Sequence, residues 1–502
     1  MNNNGTRFEF VRAPRSSRER VLIVPLASKP KPPMQLVAKV DDLCGGELAQ
    51  LLDLDALGDE VGHLSASASA GPFRRVVLVS LGESEKLNIQ KIRTAAAAAA
   101  RWLITERHAS ASLWCDGLFA TGQASALSDW VGGMHAAGFR FDELREPDAK
   151  RPAHCRVLLH SAEPDQVKSA LPRIAEATVV AAAANYTRRL AHLPPNVIHP
   201  QSLAAEARAL ARSANLKFTL LDEARLRKRR MNGLLAVGCG AAHGPCLIRL
   251  DYRAAPRAKA TTVLVGKAVT FDTGGYSIKP AENMDAMKFD KCGGCTVLGV
   301  MKALAELGLK CNVTGLIAAA ENAISGRAYR PGDILTMMSG KTVEVTNTDA
   351  EGRLILADAL TYAQRDCAPT TIIDLATLTG GVRVALGGAA AGLMSNNDDL
   401  AEQLEECGRV THERMWRLPL WDDYRELIRG ADADIKNSSG KRDAHAIVGG
   451  MFLREFIDDK TPWAHLDIAG VATQENTSNG LSKGATGFGV RLLVEFLTRG
   501  AI

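Results

Sequence analysis

The sequence predicts an α/β protein. A smaller N-terminal α/β domain is followed by a larger C-terminal α/β catalytic domain, whose central mixed sheet is flanked by helices. Three observations carry this. A chain of 502 residues is too long for one ordinary core, so two or more domains are expected. Short apolar runs alternate with helical stretches in a βαβ rhythm. Charged side chains gather just after strands, where open α/β sheets place their sites.

Composition narrows the class. Hydrophobic content of 46% and charged content of 23% are those of a soluble globular protein with material for a sizeable core. A net charge of +5 is small for this length, and neither demands nor excludes a nucleic-acid partner. Ten cysteines are scattered without a disulfide framework, which suits a reducing compartment, and a cytoplasmic location is expected. The start, Met1 to Pro33, is Arg-rich but carries Glu9 and Glu19 and lacks an apolar core segment. It reads as neither a secretory signal nor a strong transit peptide. No apolar run approaches ~18 residues, so no membrane span is expected.

The first domain is assigned to residues 1–178. Val21–Leu26, Arg75–Ser80, Ser110–Trp114 and Arg156–His160 read as strands, being short and apolar. Asn88–Glu106 reads as a helix whose alanine run, Ala95–Ala100, forms a closely packed buried face. Gln123–Ala137 reads as a second helix, and Gly138–Pro152 as a polar, turn-rich segment. No acid/base cluster appears in this part. Ala162–His192 is helical up to Pro194-Pro195, and residues 179–195 are assigned as the linking helix.

Residues 196–502 form the second domain. Gln201–Ser213 is an amphipathic helix, and Lys217–Leu221 a strand. Asp222 caps a helix ending in the basic run Arg225–Arg230, which reads as a solvated helix end favoured by the helix dipole. Gly238–Gly244 lacks the spacing of a dinucleotide loop and reads as a turn before the strand Pro245–Asp251. Ala260–Val265 reads as a central strand, Gly266–Pro280 as the loop after it, and Gly293-Gly294 as the opening of a helix to Leu307. Lys341–Thr346 alternates like a strand, and Arg353–Gln364 reads as a helix. Thr371–Ala376 (strand), Ala444–Ile457 (helix) and Trp463–Ala469 complete the domain.

Two clusters of candidate residues follow strands. Asn347-Thr-Asp-Ala-Glu-Gly-Arg-Leu354 places Asp349 and Glu351 on a strand-to-helix loop. In an extended segment such carboxylates point the same way, and they repel unless a proton or cation sits between them. The second cluster holds Lys267, Asp272, Lys279 and Asp290. Four carboxylates, Asp272, Asp290, Asp349 and Glu351, exceed the need of one dication and match a two-metal site with ions ~3.5–4 Å apart. Mg, Mn and Zn all accept such oxygen ligands. Lys267 is either an unusual neutral amine ligand or a salt-bridge partner. Lys279 can stabilise an oxyanion, and Arg353 can hold a small anion bidentately. Alternatively, both neutralise excess carboxylate.

These motifs resemble the leucyl (cytosol) aminopeptidase family of dizinc or dimanganese exopeptidases. The resemblance rests on Val265–Pro280, Met287-Lys-Phe-Asp290 and the eight-residue run Asn347–Leu354, and extends over roughly Asn185 to the C-terminus. It implies a metal-dependent aminopeptidase that hydrolyses N-terminal residues, leucine and other apolar ones preferred, through a metal-bridging water. It implies that Lys267 and Asp290 bind the looser metal, that Asp349 binds the other, and that Asp272 and Glu351 bridge the two. Lys279 would polarise the scissile carbonyl, and Arg353 would anchor a proton-relaying bicarbonate. Met287, Thr377, Leu378 and Gly380 would wall the pocket for the first side chain. The family also implies a homohexamer.

Some positions depart from the family pattern: Tyr276, Lys291, Cys295 and the segment Gly440–Ala446. Cys292 and Cys295 form a C-x-x-C pair that reads as packing cysteines, although a helix start can lower a thiol pKa. Two competing readings remain. One is a DNA-binding or scaffold protein of the same family, motivated by Arg225–Arg230 and the N-terminal arginines. The other is a two-metal hydrolase of phosphoesters.

Overall fold

The computed structural model describes residues 6–10, 21–53, 56–146, 155–254, 261–478 and 480–500. The N-terminal arginines between positions 11 and 20, and the end of the Gly138–Pro152 segment, lie outside the described residues. The chain forms two compact units. One holds the described residues up to Ala182 together with Glu475–Lys483, and the other holds Ala183–Gln474 and the described residues from Gly484 onward. The chain passes from the first to the second within the Pro164–His192 helix. No helix among the described residues is long and apolar enough to cross a membrane.

The first unit contains strands β1 (Arg7–Phe10), β2 (Val21–Leu26), β3 (Leu64–Ala68), β4 (Arg75–Ser80), β5 (Ser110–Trp114) and β6 (Arg156–His160). Their spatial order is β1-β6-β5-β2-β4-β3, parallel except for the antiparallel edge strand β3. β2 is apolar at every position because both of its faces are covered. Val21 and Ile23 pack with the alanine face of the Ile89–Thr105 helix, while Leu22 and Val24 pack with the Met34–Cys44 helix. The alanine run is buried, as its composition predicts, and Asn88 caps its helix by accepting from Lys91 N.

The second unit is built on an eight-stranded mixed sheet. In chain order its strands are β7 (Lys217–Leu221), β8 (Cys246–Arg253), β9 (Thr262–Asp272) and β10 (Asn312–Asn322). After β11 (Ile334–Thr336) and β12 (Thr342–Glu344) come β13 (Thr371–Ala376), β14 (Ala391–Ser395) and β15 (Met415–Arg417). β16 (Ile435–Lys436) precedes β17 (Trp463–Asp467). The large sheet runs β15-β14-β17-β13-β9-β10-β8-β7, while β11, β12 and β16 form a separate small sheet. β17, β13, β9 and β10 are mutually parallel, so their carboxyl ends lie at one edge. This is where a doubly covered sheet presents its crevice.

Two sequence expectations change. β9 does not stop at Val265 but continues to Asp272, so Lys267 and Asp272 lie within the strand rather than on the loop after it. The apolar pattern breaks at Gly266 for a packing reason. A Cβ there would lie 2.6 Å from the Gly294 Cα, so the glycine lets the Cys292–Leu307 helix press against the strand. The second change concerns Lys341–Thr346. The strand is only Thr342–Glu344 and belongs to the small sheet. The helix after it begins at Glu351 and runs to Cys367, so Glu351 is its first residue and only Asp349 lies on the loop.

Candidate metal centre and active site

Four parallel strand ends deliver the polar residues. Asp272 ends β9, Asn322 ends β10, Thr377 follows β13 and Asp467 ends β17. Lys267 sits midway along β9, opposite Ala318 of β10. Its ammonium is 2.8 Å from Asp290 Oδ1 and 2.9 Å from Glu351 Oε1, and donates to the Thr377 carbonyl at 2.9 Å. Lys279 bridges the other pair, standing 2.8 Å from Asp272 Oδ2 and in contact with Asp349 Oδ1. Lys267, Asp272, Lys279, Asp290, Asp349 and Glu351 are thus brought together.

Carboxylate oxygens of Asp272, Asp290 and Glu351 lie within 4.8 Å of one another, and all three residues are buried. Asp349 stands at the flank of this trio, linked to it through Lys279. Asp290 Oδ2 and Glu351 Oε2 are buried without a hydrogen-bond partner. Buried, unsatisfied carboxylate oxygens are costly unless a cation engages them. Burial raises the Asp290 pKa well above the ordinary aspartate value, against the pull of Lys267. Asp349 is raised to about 6 by burial and by the neighbouring Glu351 charge. Burial opposes the Lys267 charge, yet Asp290, Glu351 and Asp272 outweigh it and hold its pKa above the usual lysine value. Beside burial, one charge effect is common to all three: four carboxylates against two ammonium groups leave an excess of negative charge that attracts protons. The residues therefore fit divalent cations, and Asp272, Asp290, Asp349, Glu351 and a deprotonated Lys267 are the groups able to hold them.

A set of hydrogen bonds from amides, hydroxyls and backbone groups around the ligands fixes this geometry. Asn322 Nδ2 donates to Asp272 Oδ1 at 2.8 Å and to the Thr348 carbonyl at 3.1 Å. Thr348 Oγ1 accepts from Ser277 N and donates to the Gly274 carbonyl, joining the two ligand loops. Asn437 Oδ1 accepts from Thr346 N and Asn347 N, and its carbonyl accepts from Arg353 Nη1 at 2.7 Å. Thr377 Oγ1 donates to Asp290 Oδ1 at 2.7 Å. Asp467 accepts from Leu378 N and Thr379 Oγ1, fixing the turn into the helix that starts at Gly380. Sequence reading singled out neither Asn322 nor Asn437 for a role. Their only signal was an amide at a strand end or beside a loop.

Arg353 is buried, and its Nε has no partner. Burial lowers its pKa to about 10, the Glu351 and Asp467 charges pulling the other way. Among the described residues it makes no ion pair with the carboxylate cluster. Met287 lies in the short turn Met284–Phe289, whose carbonyl at Met287 accepts from Asp290 N. Met287 and Leu378 are half-buried and Gly380 is exposed.

The departures acquire local explanations. Lys291 is fully buried and donates to the carbonyls of Ala191 (3.0 Å), Leu193 (3.1 Å) and Lys288, while burial lowers its pKa to about 8. Cys292 and Cys295 are unpaired and buried. Burial pushes the Cys295 thiol up to about 12 and Cys292 also upward, so the helix start does not activate them. Tyr276 is half-exposed and donates to the Ser325 carbonyl at 3.2 Å. In the basic run, Arg227 pairs with Glu223 and Arg229 with Asp366.

The catalytic-domain profile of the cytosol aminopeptidase family matches residues 185–494, and the family's N-terminal-domain profile matches residues 23–148. The chain belongs to the cytosol aminopeptidase family. A probable cytosol aminopeptidase of Roseiflexus castenholzii is 46% identical over 433 residues, covering 85% of this chain and 87% of that one. Among solved structures, a mutant tomato leucine aminopeptidase superposes with a TM-score of 0.85 at 31% identity, covering 99% of this chain and 97% of that one. The bottromycin maturation enzyme BotP in complex with Mn gives 0.84 at 31% identity, covering 96% and 99%. The family member described here is accordingly a metal-dependent aminopeptidase, a hydrolase, with the family's two-domain α/β fold.

Proposed function

We propose that the chain releases N-terminal residues from peptides, with a preference for leucine and other large apolar side chains. The observation that carries this is the buried carboxylate trio with two orphaned oxygens, set beside a lysine that remains accessible. Two divalent ions, Mn or Zn, would be held by Lys267, Asp272, Asp290, Asp349 and Glu351. When bound, such ions polarise a carbonyl and make water nucleophilic at neutral pH.

The two lysines divide by exposure. The Lys267 side chain is 3% exposed and enclosed by its ligand neighbours, whereas Lys279 is 20% exposed at the rim. Lys279 is therefore the ammonium that meets substrate, and its Nζ stabilises the carbonyl oxygen as it gains charge. The buried Arg353, with its unpartnered Nε, supports the role of anchor for a bicarbonate ion. Met287 and Leu378 put no charge on the pocket wall, which supports an apolar first side chain. A homohexamer in the cytoplasm is the proposed assembly and location, by likeness to the family.

Turnover of Leu-p-nitroanilide with added Mn or Zn is the direct assay. Metal-loaded protein that cleaves no aminoacyl substrate overturns the reading. Glu351→Ala is expected to lose metal occupancy and activity together, and full activity in that variant refutes the ligand assignment.

A further inference from the structure

The large sheet carries a second polar cluster that takes no part in the site above. Arg249, Asp251 and Arg253 alternate along β8 and so share one face. Lys217 of β7 and Thr314 of β10 are the cross-strand partners of Asp251. Asp251 is 6% exposed, and its carboxylate is heavily engaged. Its Oδ1 accepts from Arg249 Nη2 (3.1 Å), Arg253 Nη2 (3.1 Å) and Thr314 Oγ1 (2.7 Å), and its Oδ2 accepts from Arg249 Nε (2.9 Å). Arg249 Nη1 also donates to the Asp366 carbonyl at 3.0 Å. The two guanidinium groups are thus fixed in place before any ligand arrives, which lowers the ordering cost of binding.

Lys217 makes no side-chain hydrogen bond or ion pair among the described residues. With Asn215, Arg249, Asp251 and Arg253 it lines a cavity of about 320 Å³, within the range of small-ligand sites. Three cations against one carboxylate leave a formal charge of +2. The cavity is remote from the metal centre. Thr314 lies eight residues before Asn322 on β10, the residue that holds Asp272. At ~3.3 Å per residue the separation along the strand is roughly 26 Å. The two sites therefore occupy opposite ends of the sheet.

We propose that this cavity binds a phosphate-class dianion, either inorganic phosphate or the phosphomonoester of a small molecule. The Lys217 ammonium and the guanidinium N–H groups not already given to Asp251, Thr314 and the Tyr252 and Asp366 carbonyls are the donors for phosphate oxygens, and the charge of +2 complements a dianion. Asp251 serves as the anchor that orients the two arginines.

Titration calorimetry tests the proposal, with inorganic phosphate and phenyl phosphate as probes and every protein equilibrated in the same metal-containing buffer. Wild type, Lys217→Met, Arg253→Met and Glu351→Ala are compared. One equivalent is expected to bind wild type and Glu351→Ala alike, and each cavity variant weakens binding about tenfold or more. Basal aminopeptidase activity of Lys217→Met should equal that of wild type, which excludes misfolding. Tighter binding of phenyl phosphate assigns the site to phosphomonoesters, and equal binding assigns it to the free ion. Absence of binding up to about 10 mM phosphate overturns the proposal. So does binding that survives undiminished in Lys217→Met and Arg253→Met, and its loss in Glu351→Ala then places the phosphate at the metal centre.

Discussion

Replacing Gly352 by alanine removes no ligand and should still disable the site. Gly352 is the second residue of the Glu351–Cys367 helix, where alanine is otherwise favoured by about 1 kcal/mol. Its Cβ, however, would lie 2.6 Å from Lys267 Cε, 2.7 Å from Nζ and 2.8 Å from Cδ. Ordinary contact begins at 3.4 Å, so the ammonium must retreat by the difference, about 0.7 Å. Lys267 has little room to do so, being 3% exposed and held at 2.8 Å and 2.9 Å by Asp290 and Glu351. Overpacking costs about 1–3 kcal/mol, offset in part by the helix gain of about 1 kcal/mol, so the apparent Tm should move by only a few degrees. Activity should respond far more, because a misplacement approaching 1 Å at a reacting centre costs on the order of 10²-fold. The assay is kcat/KM on Leu-p-nitroanilide beside a thermal melt and a metal analysis. Near-wild-type kcat/KM in Gly352→Ala would refute the claim that the Lys267 position is essential.

Two further outcomes are expected. Asn437→Ala leaves the backbone N–H groups of Thr346 and Asn347 without their acceptor, at about 1–3 kcal/mol for each group that stays buried. The Asp349 loop should loosen, lowering both Tm and kcat/KM, and an unchanged kcat/KM contradicts the positioning role of this amide. In the first unit, burial lowers the His135 pKa from 6.5 to about 4. Between those values the unfolded chain binds a proton that the folded chain does not, so stability is complete above about pH 6.5 and is lost as pH falls towards 4. The shift is worth at most about 3 kcal/mol. His135→Leu should flatten the fall in urea midpoint between pH 7 and pH 5, and an unaltered slope rejects the assignment.

Most of the strands that were legible have apolar neighbours on both faces, the edge strand Lys217–Leu221 being an exception. Arg75–Ser80, Ser110–Trp114 and Arg156–His160 declare themselves because each is almost wholly buried. β3, Leu64-Ser-Ala-Ser-Ala68, escaped notice because an edge strand needs little apolar content. β10 escaped for another reason. Its Ala318, Ala319 and Ala320 are small residues of high helix propensity, yet pairing with β8 and β9 draws them into the sheet. Gly266 and Lys267 looked like a strand end, because local pattern does not reveal that a helix presses on one and three carboxylates compensate the other.

By itself the sequence named the candidate groups: four carboxylates, two lysines and an arginine, in runs whose resemblance implies a dimetal site. Those identities are chemical and need no fold. Only the tertiary structure decided which lysine is enclosed and which stays accessible, and that Glu351 starts a helix while Asp349 remains on the loop. It also brought in Asn322, Asn437 and Asp467 as the residues that hold the ligand loops in place. These outcomes depend on contacts between strand ends and loops far apart in the chain. Lys267 meets Thr377 across 110 positions, and Asn437 meets Asn347 across 90. Periodicity and spacing report only a residue's near neighbours, so pairings of this kind have no local signature.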